Sequence, residues 1–195
     1  MAREQTAEAQ RLLAASVDVI LERGVATLSL SQLARAVGSN NRMLLYYFGS
    51  KDRLFTEAIR AAYERFPDLA GLIPSLHAPG DIGDLICAGW RRLRAPANLP
   101  YLLLFFEAYA AAVRAPDENR AHLAVLATHW PDGIRSAFTA HGWSPSAAHR
   151  ASVQVLALWR GLQLDLVAGA DAAELDAAHD EAVRALLAAQ RPPAS

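Results

Sequence analysis

The sequence predicts an all-α protein, in which an N-terminal three-helix helix-turn-helix domain is joined by a connecting helix to a larger helical domain. Three observations support this fold class. Apolar residues recur three and four positions apart through most of the 195 residues, as on one face of an α-helix. Serine, asparagine, proline and glycine separate these segments as helix caps and stops do. No segment has the alternation of a strand or the turn signal of a hairpin.

Several short helices are predicted before residue 67. The first covers residues 6–23 and ends at Gly24. The second follows Ser29, an N-cap candidate, and ends at Gly38, because glycine adopts positive φ at no steric cost. The third runs to about Phe48. A short helix, a glycine-containing turn and another short helix form a helix-turn-helix, whose second helix typically enters the DNA major groove.

The third helix carries side chains suited to reading bases. Either Ser39 or Asn40 can cap it, and Leu44 and Phe48 can bury one face. Asparagine pairs bidentately with adenine, arginine with guanine, and an apolar tip contacts the thymine methyl. The outward-facing candidates for base contacts are Asn41, Arg42, Met43 and Tyr46. The candidates for phosphate contacts are Tyr47, Lys51, Ser29 and Ser31. The alternative is an ordinary corner between two helices with a polar outer face.

Two motifs within residues 12–66 point to a family. They are Leu30-x-x-Leu33-Ala34-x-x-Val37-Gly38 and Leu44-x-x-Tyr47-Phe48-x-Ser50-Lys51-x-x-Leu54. In these motifs the segment resembles the DNA-binding domain of the TetR family of transcriptional regulators. The resemblance implies the same base-reading positions and phosphate contacts from Tyr47 and Lys51. It departs at Leu45, where the family usually has a tyrosine, and at Ser39-Asn40, where it usually has Val-Ser.

The predicted domains are residues 1–50, a connecting helix over 51–66, and a ligand-binding and dimerisation domain over 67–195. Residues 67–80 read as a linker or irregular loop, because they hold three prolines and two glycines. Pro131 should kink or split one helix of the larger domain. Helices of that domain are predicted near residues 81–95, 98–114, 117–141, 145–169 and 171–190.

The last two helices predict a homodimer. Residues 153–167 are apolar nearly all round, so this helix needs partners on more than one side. Two such helices from each of two subunits can form a four-helix bundle, the arrangement that the TetR resemblance implies. The candidate interface residues are Leu158, Leu162, Leu166, Ala178, Ala182 and Leu186. The alternative is that both helices complete the monomer core.

Aromatic residues concentrated in the middle of the larger domain suggest an apolar ligand pocket, although any one of them can simply be core. The candidate ligand-binding residues are Trp90, Phe105, Tyr109, His122, Trp130 and Trp159. The histidines lack metal-site spacing, and no phosphate loop or nucleophile motif occurs. We therefore expect no catalytic residues, no metal, no cofactor and no enzymatic activity.

Composition and charge fit this interpretation. No apolar run is long enough to span a membrane, no secretory signal is visible, and the single cysteine, Cys87, favours a cytoplasmic location. The net charge of −1 divides into +2 for residues 1–66 and −3 for residues 67–195, which suits a protein that offers only its N-terminal part to DNA.

Together these features predict a ligand-responsive DNA-binding transcriptional regulator. It would act as a repressor on a palindromic double-stranded operator, and a hydrophobic or aromatic small molecule of unknown identity would release it by tilting residues 51–66. Two alternatives remain. One is a helical small-molecule-binding protein or enzyme with an incidental helix-turn-helix, and the other is a DNA-binding dimer without a ligand.

Overall fold

The computed structural model describes residues 2–26, 28–115 and 120–190, and every regular element in these residues is helical. The fold class predicted from the sequence is confirmed. None of the described helices is both long enough and apolar enough to cross a membrane. The helices in chain order are α1 (Ala2–Arg23), α2 (Leu30–Ala36), α3 (Asn41–Phe48), α4 (Lys51–Tyr63), α5 (Pro67–Ala70), α6 (Leu72–Ser75), α7 (Ile82–Leu93), α8 (Leu99–Arg114), α9 (Arg120–Ala140), α10 (Pro145–Val167) and α11 (Ala172–Gln190), with a 3₁₀ turn at Pro96–Asn98.

The chain forms two compact units. The head unit comprises residues 1–66 and 100–123, and the body unit comprises residues 67–99 and 124–195. Residues 100–123, which the sequence grouped with the larger domain, instead belong to the head unit.

An apolar core holds the head unit together. α1 packs along α4, and α2 and α3 pack beside them. Leu104 and Ala108 of α8 are buried in this same core, which explains why residues 100–123 group with the head. The other large side chains of the core that are almost fully buried are Leu12, Val17, Ile20, Leu33, Leu44, Phe48 and Leu54.

In the body unit, α11 packs against both α7 and α10. The tryptophans Trp90 of α7 and Trp159 of α10 are fully buried. Gly89 permits this packing, because a Cβ at that position would lie 3.3 Å from the Trp159 ring. Large apolar burial of this kind is the main stabilising contribution to such a core.

The linker prediction for residues 67–80 is wrong over its first part, where the chain forms the short helices α5 and α6. Leu69, Leu72 and Leu76 are fully buried there, so packing holds the backbone in helical turns. Pro67 does not oppose this conformation, since proline is tolerated at the first helical position.

Helix α9 runs unbroken through Pro131, so the expected splitting of this helix does not occur. Ile134, Ala137 and Phe138 lie just beyond the proline and are fully buried. Their packing offsets the loss of one backbone hydrogen bond, which is the main local cost of a proline inside a helix.

Candidate nucleic-acid interface

The turn between α2 and α3 is built by local capping interactions. The Ser29 hydroxyl accepts from the backbone N–H of Gln32 at 3.2 Å, and the Gln32 side chain accepts from the backbone N–H of Ser29 at 2.8 Å, which makes a complete capping box. Gly38 follows with φ +67°. The Asn40 side chain then accepts from the backbone N–H of Met43 at 3.0 Å, so Asn40 caps α3. The predicted helix-turn-helix is confirmed.

Helix α3 has one buried and one exposed face. Leu44 and Phe48 are buried, as predicted. Asn41 and Arg42 are exposed, and Tyr46 has 62% of its surface exposed. Met43 is half-buried. The face expected to read bases is therefore accessible to a DNA groove, although Met43 is less exposed than Asn41, Arg42 and Tyr46.

A hydrogen bond links the two helices of the motif at this exposed face. The Asn41 side-chain amide donates to the Ser31 hydroxyl, with Nδ2 and Oγ 2.8 Å apart. Arg42 forms neither an ion pair nor a hydrogen bond through its side chain among residues 2–26, 28–115 and 120–190. Asn41 is thus oriented by a neighbour, whereas the Arg42 guanidinium keeps its five donors for a ligand.

The candidate phosphate contacts differ in how available they are. The Ser29 hydroxyl also donates to the Gln32 side chain at 2.7 Å, so its proton is already used within the capping box. Ser31 accepts from Asn41 and retains its own proton for donation. Tyr47 is half-buried against the head core. Lys51 is exposed, and its ammonium lies 5.2 Å from the centre of the Phe55 ring.

The N-terminus of α4 offers further hydrogen-bond donors next to Lys51. Ser50 caps it by accepting from the backbone N–H of Arg53 at 3.1 Å. Lys51 is the first helical residue, and the free backbone N–H groups of this first turn attract anions. A phosphate at this helix end would meet both donors and positive charge.

Within the head unit, helix α8 contacts the loop between α1 and α2. The Glu107 carboxylate accepts from the backbone N–H of Val25, with Oε2 and N 2.6 Å apart. Gly24 precedes it with φ +73°. A Cβ at Gly24 would overlap with this carboxylate. Only glycine fits both the backbone conformation and the close approach of Glu107.

The ligand-binding candidates fall into the two units. Phe105 and Tyr109 lie on α8 in the head unit, half-buried, with their ring centres 6.0 Å apart. Tyr101 lies earlier on the same helix, and its ring centre is 5.6 Å from that of Tyr63 and 5.5 Å from that of Phe66. The side chain of His122 lies outside the described residues.

The remaining candidates belong to an aromatic cluster in the body unit. Trp130 meets Trp159 edge to face, with ring centres 6.1 Å apart. Trp159 donates its indole N–H to His179 at 3.0 Å, and the His179 ring stacks on Trp90 at 5.3 Å. Trp90 donates to Asp176 at 2.8 Å. Trp90 and Trp159 are therefore satisfied core residues, and Trp130 is half-buried beside them.

His179 is a buried polar residue that the sequence analysis missed. Burial lowers the pKa of its imidazole below the ordinary value, against the opposing influence of Asp180 and Asp176. Helical spacing offered a signal, because Leu175 and Val183 lie four residues away on either side and are buried too. The pairing with two tryptophans could not be read from spacing.

Cys87, His179 and Asp180 form a compact group whose potential ligand atoms lie within 4.8 Å of one another. The His179 Nε2 accepts from Trp159, so the ring proton lies on Nδ1 and faces Asp180 at 3.1 Å. A metal ion at Nδ1 would require loss of that proton or of the Trp159 bond. The group is therefore better described as a hydrogen-bonded network than as a metal site.

Cys87 is half-buried, and burial together with Asp180 raises the pKa of its thiol to about 12. A thiol with so high a pKa is a poor nucleophile. The groove of about 440 Å³ beside it is lined largely by charged residues, unlike the mostly apolar pocket expected for an aromatic effector. Its charged lining residues are Asp81, Asp84, Arg91, Asp180 and Arg184.

The candidate dimer residues are incompletely covered in the single chain. Ala178 is exposed, and the other five are half-buried: Leu158, Leu162, Leu166, Ala182 and Leu186. Helix α10 also exposes an apolar stripe that the sequence analysis did not select. It comprises Val153, Ala157, Gly161 and Leu164, with Val153 and Leu164 exposed by 53% and 54%. A Cβ at Gly161 would meet open space, so a second helix could approach closely there.

Comparison with known proteins finds sequence similarity over a part of the chain. Residues 12–58 match the family model for bacterial regulatory proteins of the tetR family. A 66-residue segment is 36% identical to the HTH-type transcriptional repressor NicS of Pseudomonas putida. This match covers 33% of the chain and only 31% of the length of NicS. The matched proteins are regulators rather than enzymes, in agreement with the expectation drawn from the sequence.

Solved structures are similar over nearly the whole chain. A transcriptional regulator from Rhodococcus sp. Rha1 aligns with a TM-score of 0.74 at 20% identity, covering 95% of this chain and 99% of the other. The multidrug binding protein EbrR in complex with imidazole aligns with a TM-score of 0.69 at 23% identity, covering 95% and 91%. EbrR in complex with proflavin aligns with a TM-score of 0.66 at 23% identity, covering 91% and 98%. At these identities the similarity establishes the fold.

Proposed function

The chain belongs to the bacterial TetR family through its N-terminal domain, and from this premise we propose that it is a dimeric, ligand-responsive repressor acting in the cytoplasm. The observation that carries the proposal is the exposed face of α3. Asn41 and Arg42 stand outward on a capped helix whose opposite face is buried. That is the arrangement by which a recognition helix presents side chains to base edges in the major groove.

Phosphate contacts would hold this helix in register. Lys51 and Ser31 have donors available for phosphate oxygens, and the N-terminus of α4 adds backbone N–H groups. Ser29 is a weaker candidate than the sequence suggested, because its hydroxyl proton is bonded to Gln32. The remaining phosphate candidate, Tyr47, would act through its hydroxyl.

The exposed apolar stripe on α10 supports dimerisation. A solvent-facing leucine and valine around Gly161 form a surface that a second copy could cover. A two-fold dimer would place two copies of α3 on one side of DNA. It predicts a palindromic operator with half-sites roughly 34–36 Å apart, or a multiple of that distance.

The effector would act through the aromatic residues of α8, within the head unit. The aromatic ligands of EbrR support a hydrophobic or aromatic effector. Helix α8 carries Phe105 and Tyr109, and its Glu107 holds the α1–α2 loop of the head. A ligand that shifts α8 would therefore alter the position of the helix-turn-helix, and α4 would move with it through the contacts of Tyr101.

A DNA-binding dimer without an effector is the second candidate. The full burial of Trp90 and Trp159 favours it, since both indole N–H groups already bond to protein partners. Such residues fill a core and leave no surface for a ligand. The two candidates share the same DNA contacts and differ only in whether operator affinity responds to a small molecule.

Selection of bound fragments from genomic DNA, followed by titration with proflavin and imidazole, tests both the proposed DNA binding and the proposed response to an effector. A repressor with an aromatic effector should bind a palindromic site, and one of these ligands should weaken that binding. The operator should weaken ligand binding by the same factor. Because a planar cationic dye also binds duplex DNA, a titration of the same duplex without protein is the control. Independent binding of ligand and operator would favour the second candidate, a DNA-binding dimer without an effector.

A further inference from the structure

Asn41 is an outward side chain of α3 that a hydrogen bond already holds in place. Its Nδ2 donates to Ser31 Oγ at 2.8 Å, across the turn between α2 and α3. Both residues are exposed, and a hydrogen bond between exposed polar side chains contributes little to the stability of the fold. Its main effect is on the orientation of the amide.

The bond leaves Asn41 with the groups that an adenine requires. A carboxamide has two N–H donors and one carbonyl acceptor. Ser31 takes one donor, so one donor and the acceptor remain. Adenine presents one acceptor, N7, and one donor, the N6 amino group, in the major groove. The remaining edge of Asn41 is therefore complementary to adenine.

The backbone on both sides of this bond is rigid. Ser31 lies in the first turn of α2, directly after the capping box formed by Ser29 and Gln32. Asn41 is the first residue of α3, whose N-terminus is capped by Asn40. Leu33 and Leu44, one on each helix, are fully buried. With both Cα positions held, the Ser31 bond selects one side-chain arrangement of Asn41 before DNA arrives.

We propose that Ser31 is a positioning residue for base reading, which orients the Asn41 amide toward a single adenine and so sets the preference for adenine at that position. This inference rests on the proposed DNA-binding function and deepens it. The Ser31 hydroxyl keeps its own proton and can donate it to a phosphate. Ser31 then links a contact to the DNA backbone with the contact that Asn41 makes to a base.

Arg42 provides a comparison with Asn41 on the same helix. Its side chain has no hydrogen-bond partner in the described parts of the chain, so its guanidinium must be ordered when DNA binds. Ordering a side chain at an interface costs affinity, and prior orientation avoids that cost. Substitution of Ser31 should therefore alter the reading by Asn41 and leave the reading by Arg42 unchanged.

The test compares Ser31→Val with Ser31→Thr, which have nearly the same shape and differ by the hydroxyl. Each variant is titrated against a selected operator and against duplexes in which one adenine is replaced by purine or 7-deazaadenine. The Asn41→Ala variant identifies the adenine that Asn41 reads. Thermal unfolding of each variant verifies that the fold is unchanged.

For Ser31→Val, preference for that adenine over purine should fall by about two- to tenfold, the cost of ordering one side chain. The Ser31→Thr variant should retain the preference. If Ser31→Val weakens all duplexes equally and keeps the preference, Ser31 holds only phosphate and the inference is overturned. If the unsubstituted protein binds no duplex at low ionic strength, the proposed function itself fails, which is a different result.

Discussion

Replacing Gly24 with alanine tests the contact between α8 and the α1–α2 loop. The φ of +73° at Gly24 is strained for any residue with a Cβ, at a cost of about 1–2 kcal/mol. The new Cβ would also overlap with the Glu107 carboxylate. Because that carboxylate ends a flexible side chain, it can move away, but it then loses its bond to the Val25 N–H.

The expected cost follows from these two contributions. A hydrogen bond to a charged group contributes about 1.5–3 kcal/mol. Added to the backbone strain, this gives roughly 2.5–5 kcal/mol for Gly24→Ala. Gly38→Ala is a matched control, because Gly38 has φ +67° and a Cβ there would meet nothing within 4 Å. That control should cost only about 1–2 kcal/mol.

The measurement is the free energy of unfolding in urea by far-UV circular dichroism, at one protein concentration for all variants. Tryptophan fluorescence separates the two units, because all four tryptophans of the chain lie in the body unit. In a Glu107→Ala background, Gly24→Ala should cost no more than Gly38→Ala, so the cycle should show a coupling of about 1.5–3 kcal/mol. Equal costs for the two glycine substitutions in the unsubstituted background, or no coupling, would refute the reasoning.

Four further outcomes are expected. Arg42→Ala should weaken operator binding by about 1–3 kcal/mol and relax preference at one base pair, measured by selection and titration. Lys51→Ala should weaken all duplexes similarly and reduce the salt slope of binding by about one. Burial lowers the pKa of His179, so the unfolded state takes up a proton before the folded state does. The free energy of unfolding in urea should therefore fall as the pH drops below 6.5. This loss should vanish in His179→Gln and persist in His149→Gln, because His149 is exposed. Leu164→Glu should shift the protein toward monomer in sedimentation without lowering its helix content, because Leu164 is exposed in the single chain.

Local signals explain why the helix-turn-helix could be predicted so closely. The caps at Ser29 and Asn40 act on backbone groups three residues away, so the sequence alone offers them as candidates. The burial of Leu44 and Phe48 follows from helical spacing within one short segment. Asn41, Arg42 and Tyr46 are exposed because they lie on the opposite face of the same helix.

Features that depend on tertiary packing could not be predicted in the same way. Nothing in the apolar pattern of α8 indicates that Leu104 and Ala108 join the head core rather than the body. The helices α5 and α6 form because leucines around them are buried, although their prolines and glycines favour a loop. The bond between Ser31 and Asn41 spans ten residues, and it exists only because the turn brings the two helices together.

The measurement closest to the central claim is the affinity of the purified protein for a selected duplex and for a scrambled duplex of equal length, each titrated at low and at moderate ionic strength. We predict that two protein chains bind the selected duplex, with affinity at least roughly a thousandfold higher than for the scrambled one at moderate salt. Equal affinity for both duplexes, or no binding to either at low ionic strength, would contradict the account.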